Sequence, residues 1–133
     1  MLGKIEHLGI AVADLKKSAV LFESLLGTAP YKEEEVASEG VRTLFFQAGV
    51  NKIELLEATH PDSPIAKFLD KRGQGFHHVA FEVHDIRAEI ARLRAAGFKM
   101  IHEEPKEGAD NKWIAFVHPS STNGLLVELC QEK

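Results

Sequence analysis

Four residues able to do metal or acid-base chemistry recur in two pairs along this chain of 133 residues: His7 with His78, and Glu54 with Glu128. The oddest is Glu128, a carboxylate inside the apolar run GLLVELCQEK. An unpartnered charge buried in such a strand costs several kcal/mol. Glu54 repeats the anomaly, because Ile53-Glu54-Leu55 matches Val127-Glu128-Leu129. Two neutral imidazoles and two carboxylates carry a charge of about −2, which suits a divalent cation and would remove the penalty on Glu128. One strand histidine is weak evidence, since most such side chains are hydrogen-bonded or partly exposed. Matched recurrence of both residue types is much stronger.

The elements that must position these residues are written twice. HLGIAVADLKKSAVLFESLLG from His7 aligns with HHVAFEVHDIRAEIARLRAAG, whose second histidine is His78. Leu8, Ile10 and Val12 alternate along one predicted strand, and Val79, Phe81 and Val83 along the other. Asp14 and Asp85 follow as helix caps. Leu15, Ala19, Phe22 and Leu26 then form an apolar stripe at helical spacing, matched by Ile86, Ile90, Leu93 and Ala96 or the neighbouring position, and Gly27 and Gly97 stop the two helices. Further strands follow in each half, with VRTLFFQAG and NKIELLEA laid over KWIAFVHPSSTNG and LLVELCQE.

Side-chain parity sends the four candidates to one side, since residues two apart on a strand share a face. His7 goes with Gly9 and Ala11, and His78 with Ala80 and Glu82. The residues flanking Glu54 and Glu128 point to the helices, so the carboxylates point away from them. Packing of the halves about a pseudo-twofold axis would bring the four ligands into one sheet-lined cavity. His77 falls on the helix-packed face and is assigned a structural role. His60, His84, His102 and His118 fall in loops or strand ends and are read as surface residues.

The predicted organisation is a single domain over 1–133, with module one at about 4–58, a connector at about 59–74 and module two at about 75–131. The connector carries a short helix capped by Ser63, with Pro64 at its first position and Gly73 past its end. EEPKEGADNK is charged and glycine-bearing, and reads as a mobile surface loop. The chain is long enough to bury a core without disulfides. A net charge of −4 with no dense Lys/Arg block argues against nucleic acid. Cys130 is the one cysteine; it reads as a small apolar strand residue and suits a reducing compartment. The N-terminal apolar stretch is too short for a signal peptide or membrane span, so the expectation is a soluble cytoplasmic protein without a membrane partner.

These residues resemble the methylmalonyl-CoA epimerases of the vicinal oxygen chelate superfamily. The resemblance runs through IEHLGIAVADL, IELLEATHPDSPIAKFL, GFHHVAFEV and IAFVHPSSTNGLLVELCQ, essentially the whole length. It implies an α+β fold, the vicinal oxygen chelate or glyoxalase fold, in which two tandem βαβββ modules form a curled mixed sheet around a metal site. It places the metal ligands at His7, Glu54, His78 and Glu128, with Co2+ first among ions that include Zn2+, Ni2+, Mn2+ and Mg2+. Glu54 stands where some members have glutamine. Thr43 stands where some members carry a further catalytic glutamate, and a hydroxyl cannot serve as a carboxylate base. The implied substrate is an acyl-CoA thioester, methylmalonyl-CoA, epimerised by 1,1-proton transfer; the repeat itself, which relates two carboxylates by a twofold, points to Glu128 and Glu54 as the catalytic bases. No lysine or arginine stands out as a CoA contact. The resemblance, with the prevalence of twofold dimers among small enzymes, implies a homodimer. The competing readings are a glyoxalase I-type lactoylglutathione lyase, which uses the same ligand positions, and a metal-free small-molecule-binding module of the same fold.

Overall fold

The computed structural model describes all 133 residues. The elements run β1 (Ile5–Ala11), α1 (Leu15–Leu26), β2 (Lys32–Val36), β3 (Val41–Ala48), β4 (Asn51–Ala58), α2 (Pro64–Arg72), β5 (Gly75–Glu82), α3 (Ile86–Ala95), β6 (Lys106–Gly108), β7 (Lys112–Val117) and β8 (Val127–Glu132). The order is thus βαβββ, a connecting helix, and βαβββ again, the mixed α+β repeat expected from the alignment of the two halves. By packing, the chain divides into two compact units, Leu8–His77 and Met1–His7 with His78–Lys133. β1 contributes its first residues to one and its last to the other.

In the unit Leu8–His77 the strand order is β2-β3-β4-β1. β3 and β4 form an antiparallel hairpin in which Leu44 faces Leu55, Phe45 faces Glu54 and Phe46 faces Ile53. Alternation therefore gives this ladder two unlike faces. Val12, Leu15, Leu44, Phe46 and Leu55 are buried together, with Ile10, Ala19, Phe22, Leu26 and Ile53 packed around them. That cluster is the predicted α1 stripe laid on one face, and each large side chain buried there contributes about 1.5–3 kcal/mol. A second cluster, Ala11, Val41, Leu56 and Ile65 with Phe68 and Leu69, seats α2.

Local signals fix the helices. The Asp14 side chain accepts a hydrogen bond from the Lys17 N–H, and Gly27, at φ 72°, closes α1 in the left-handed region with its N–H donated to the Glu23 carbonyl. Ser63 accepts from the Ala66 N–H and is followed by Pro64, so α2 starts where the sequence places it. In the unit Met1–His7 with His78–Lys133, Asp85 accepts from the Ala88 N–H. α3 ends at Ala95, with Gly97 beyond the cap at φ 95°.

That second unit has the order β5-β8-β7-β6, with the first residues of β1 beside β5. The Gly3 N–H donates to the Glu82 carbonyl at 2.8 Å and the Glu82 N–H to the Lys4 carbonyl at 2.9 Å. β5 and β8 are parallel, with Ala80 beside Glu128. β7 and β8 are antiparallel, with Phe116 opposite Glu128 and Ile114 opposite Cys130. Val79, Val127, Leu129 and Val117 are buried, as are Ile86, Ile90 and Leu93 of α3, which packs on β7 and β8.

One expectation is corrected here. EEPKEGADNK is not a free loop, because Lys106–Gly108 pairs with β7, Lys106 facing Ile114 and Gly108 facing Lys112. The reversal is made by Asp110 and Asn111, both at positive φ (59° and 60°). Aspartate and asparagine tolerate that region better than other residues with a Cβ. No helix is long and apolar enough to cross a membrane.

Candidate metal and acid-base site

Within the unit Met1–His7 with His78–Lys133, three of the four sequence candidates converge. His7 lies on β1, His78 on β5 and Glu128 on β8, at 5 %, 3 % and 5 % exposure. The two Nε2 atoms are 3.1 Å apart. Glu128 Oε1 is 3.0 Å from His78 Nε2 and 3.4 Å from His7 Nε2. The imidazole rings meet edge to face, at 5.2 Å between centroids and 87° between planes. Phe116, opposite Glu128 on β7, stands edge-on to His78 at 5.8 Å.

The electrostatics follow from this crowding. Burial alone would raise the Glu128 carboxyl, but His7 and His78 beside it outweigh that effect and hold it well below the usual carboxylate range. Glu128 is therefore ionised throughout the physiological range.

The triangle can be tested against a cation. Ligand atoms about 2.0–2.2 Å from one ion stand about 2.8–3.6 Å apart at tetrahedral or octahedral angles. The three observed separations, 3.1, 3.0 and 3.4 Å, lie in that interval. Two imidazole nitrogens and a carboxylate oxygen are ordinary donors for divalent first-row metals. The residues present fit a divalent ion.

Glu54 belongs to the other unit, where it is buried on β4 opposite Phe45. Its neighbours Ile53 and Leu55 pack towards α1, so it points away from that helix. Thr43, on the same face of β3, is buried and donates its hydroxyl to the Glu34 carbonyl at 3.2 Å. His77 packs edge-on against Phe68 of α2 at 4.8 Å, a structural contact. His60 and His84 are exposed. His102 and His118 depart from the surface reading: both are half-buried, and their Nδ1 atoms accept the backbone N–H groups of Phe116 and Ser120.

Sequence reasoning missed Glu6. It is buried, and its Oε1 lies 2.7 Å from His7 Nδ1. Strict alternation would place it on the face opposite His7. The available signal was a charged residue directly before a candidate ligand in an otherwise apolar strand. Cys130 shares the Glu128 face and is buried. Burial first, then the charge of Glu128, pushes its thiol up to about 12. It stays protonated, with Sγ 3.5 Å from the Phe81 carbonyl.

A sequence family described as the glyoxalase/bleomycin resistance protein/dioxygenase superfamily matches residues 6–116. The ethylmalonyl-CoA/methylmalonyl-CoA epimerase of Cereibacter sphaeroides is 41 % identical, over 98 % of this chain and 99 % of that protein. The mitochondrial methylmalonyl-CoA epimerase of Homo sapiens is 39 % identical, over 98 % of this chain and 74 % of its own length. Among solved structures, Streptomyces coelicolor methylmalonyl-CoA epimerase in complex with 2-nitronate-propionyl-CoA superposes with a TM-score of 0.92, at 33 % identity, covering 99 % of this chain and 96 % of that one.

Proposed function

The chain belongs to the glyoxalase/bleomycin resistance protein/dioxygenase superfamily and, within it, to the methylmalonyl-CoA epimerases, and on that footing we propose that it interconverts (R)- and (S)-methylmalonyl-CoA by moving the α-proton. The observation that carries the reading is the buried triangle of His7, His78 and Glu128, an ionised carboxylate set among metal-type donors.

The α-carbon of such a substrate lies between a carboxylate and a thioester, and removing its proton leaves an enolate. His7, His78 and Glu128 would hold a divalent ion, Co2+ being the ion to test first. When bound, that ion supplies Lewis-acid stabilisation of the charge that develops on the substrate oxygens. Glu54 is proposed as a fourth donor from the repeat, because it holds in its module the strand position that Glu128 holds in its own.

Glu128 is the proposed base. Its ionisation makes it ready to accept a proton, while the contacts that keep it ionised also weaken its basicity. Transfer therefore requires at least one of the two Nε2 contacts to lengthen as substrate enters. A 1,1-transfer also needs a second group on the opposite side of the enolate plane. The repeat supplies Glu54 for that role. Thr43, with its hydroxyl committed to the Glu34 carbonyl, is no substitute for a carboxylate. The reading extends to a cytoplasmic homodimer acting on an acyl-CoA thioester.

Proton NMR of methylmalonyl-CoA in deuterated water, with Co2+-loaded protein and a His78→Ala control, tests this. The α-proton signal should disappear with wild type and persist with the variant. Persistence with wild type that holds the ion would overturn the assigned substrate.

A further inference from the structure

We propose that Phe116 is a specificity-determining residue: its ring is the wall against which the alkyl substituent of a 2-alkylmalonyl-CoA lies, and it restricts that substituent to a short one. The proposal rests on the epimerase reading for its substrate and goes beyond it in naming the residue that selects the acyl group. Phe116 stands opposite Glu128 on the β7–β8 ladder. Directly opposed residues of an antiparallel pair carry Cβ atoms about 4.5–5.5 Å apart on one face. A group that meets the Glu128 carboxylate therefore also meets the ring.

The surroundings single this residue out. On the same face, Ala80 lies beside Glu128 on β5, and Ile114 and Cys130 form the next rung. These three are buried together at 0 %, 6 % and 1 % exposure, with Phe116 packed against them and itself only half-buried. The accessible surface of this apolar patch thus belongs to Phe116. The ring is also held in place. It stands 5.8 Å from the His78 ring at 85° and 5.7 Å from the His102 ring at 53°. His102 is fixed in turn, because its Nδ1 accepts the Phe116 N–H at 3.1 Å. A wall braced by two imidazoles cannot yield to a longer chain without displacing one of them.

The chemistry of the α-carbon assigns the group that meets this wall. That carbon bears a proton, a carboxylate, a thioester and an alkyl group. The proton suits Glu128, and the carboxylate and thioester oxygens suit the cation-holding donors. An aromatic face carries negative potential and offers an anion nothing, whereas an alkyl group gains by leaving water for it. In the planar enolate the alkyl group stays in the plane while the proton changes side. One wall therefore serves both epimers.

The test compares methylmalonyl-CoA with butylmalonyl-CoA on Co2+-loaded protein, by α-proton exchange in deuterated water and by calorimetric binding. Wild type should favour the methyl compound in kcat/KM, and Phe116→Ala should shrink that preference by about 10–200-fold, the discrimination that one methylene in an apolar pocket supports. Phe116→Leu, smaller yet apolar, should fall between the two and serves if the alanine variant does not fold. An unchanged preference in both variants, or wild type that handles the two thioesters alike, would overturn the proposal. Wild type that exchanges neither compound would count against the epimerase reading. In that case a methyl preference in binding that Phe116→Ala abolishes still supports the wall, and binding without such a preference overturns it.

Discussion

Replacing Glu128 by glutamine separates the chemical role of this carboxylate from its structural one. The amide has the same length and keeps an oxygen to accept the His78 Nε2–H, now at 3.0 Å. Two opposing effects then act on folding of the metal-free protein. Exchanging a charged acceptor for a neutral one forfeits part of a hydrogen bond worth about 1.5–3 kcal/mol, while removing a buried charge relieves a desolvation cost of several kcal/mol. Folded Glu128 titrates below its ordinary value, so the histidine contacts outweigh burial and the amide should lower stability, by about 1.5–3 kcal/mol. Catalysis has no such compensation. Losing a general base costs about 10²–10⁴ in rate, or about 2.7–5.4 kcal/mol of transition-state stabilisation. Urea unfolding in the presence of chelator measures the first quantity, and α-proton exchange in deuterated water measures the second. Exchange within tenfold of wild type, in a variant shown to hold its metal, would refute Glu128 as base.

The same residue governs acid stability. Its carboxyl titrates below its ordinary value near 4.5 when folded, so the unfolded chain binds the extra proton and this contribution is present above about pH 4.5 and lost below it. Metal-free Glu128→Gln should therefore lose less stability than wild type between pH 6 and pH 4, and parallel urea midpoints across that range would contradict the assignment. Cys130, buried with its thiol pushed up to about 12, should resist dithiobis(nitrobenzoate) at pH 8 and react only after guanidinium unfolding; rapid labelling of the folded protein would show the thiol to be accessible and acidic. Asp14→Ala and Asp85→Ala each remove a side-chain cap from a different helix. Each should cost about 1 kcal/mol in urea unfolding, and the double variant should show the sum. Two caps without measurable effect would mean that packing alone sets the helix starts.

Much of this was legible because repetition and alternation are written directly into the residue types. Glu128 betrayed itself by being charged between apolar neighbours, and its copy in Ile53-Glu54-Leu55 made coincidence a poor explanation. The caps Asp14, Ser63 and Asp85 were readable because each precedes an apolar stripe at helical spacing. Four features were hidden, each for a physical reason. Glu6 reaches its own neighbour, His7, across the sense of the strand, which a strict period of two assigns to the opposite face. β2, reading KEEEV, hides its pairing with β3 behind charge, as edge strands do when charge discourages further pairing. β6 spans only Lys106–Gly108, too few residues to show a period, and its evidence was the turn at Asp110 and Asn111. His102 and His118 serve as backbone acceptors, a use that leaves no mark on sequence spacing.

The two-faced strands also govern where this chain can change length. On β8, Glu128 and Cys130 look one way while Val127 and Leu129 look the other, and β7 follows suit with Phe116 opposite Glu128 and Ala115 opposite Leu129. Deleting Val127 would slip the pairing and turn every later side chain of β8 over. The carboxylate would land among the side chains of α3, and a leucine would take its place beside the histidines, so one event would damage both packing and chemistry. The reversal at Asp110 and Asn111 lies at the end of β6 and β7, outside the Glu128 rung, and length variation should collect there.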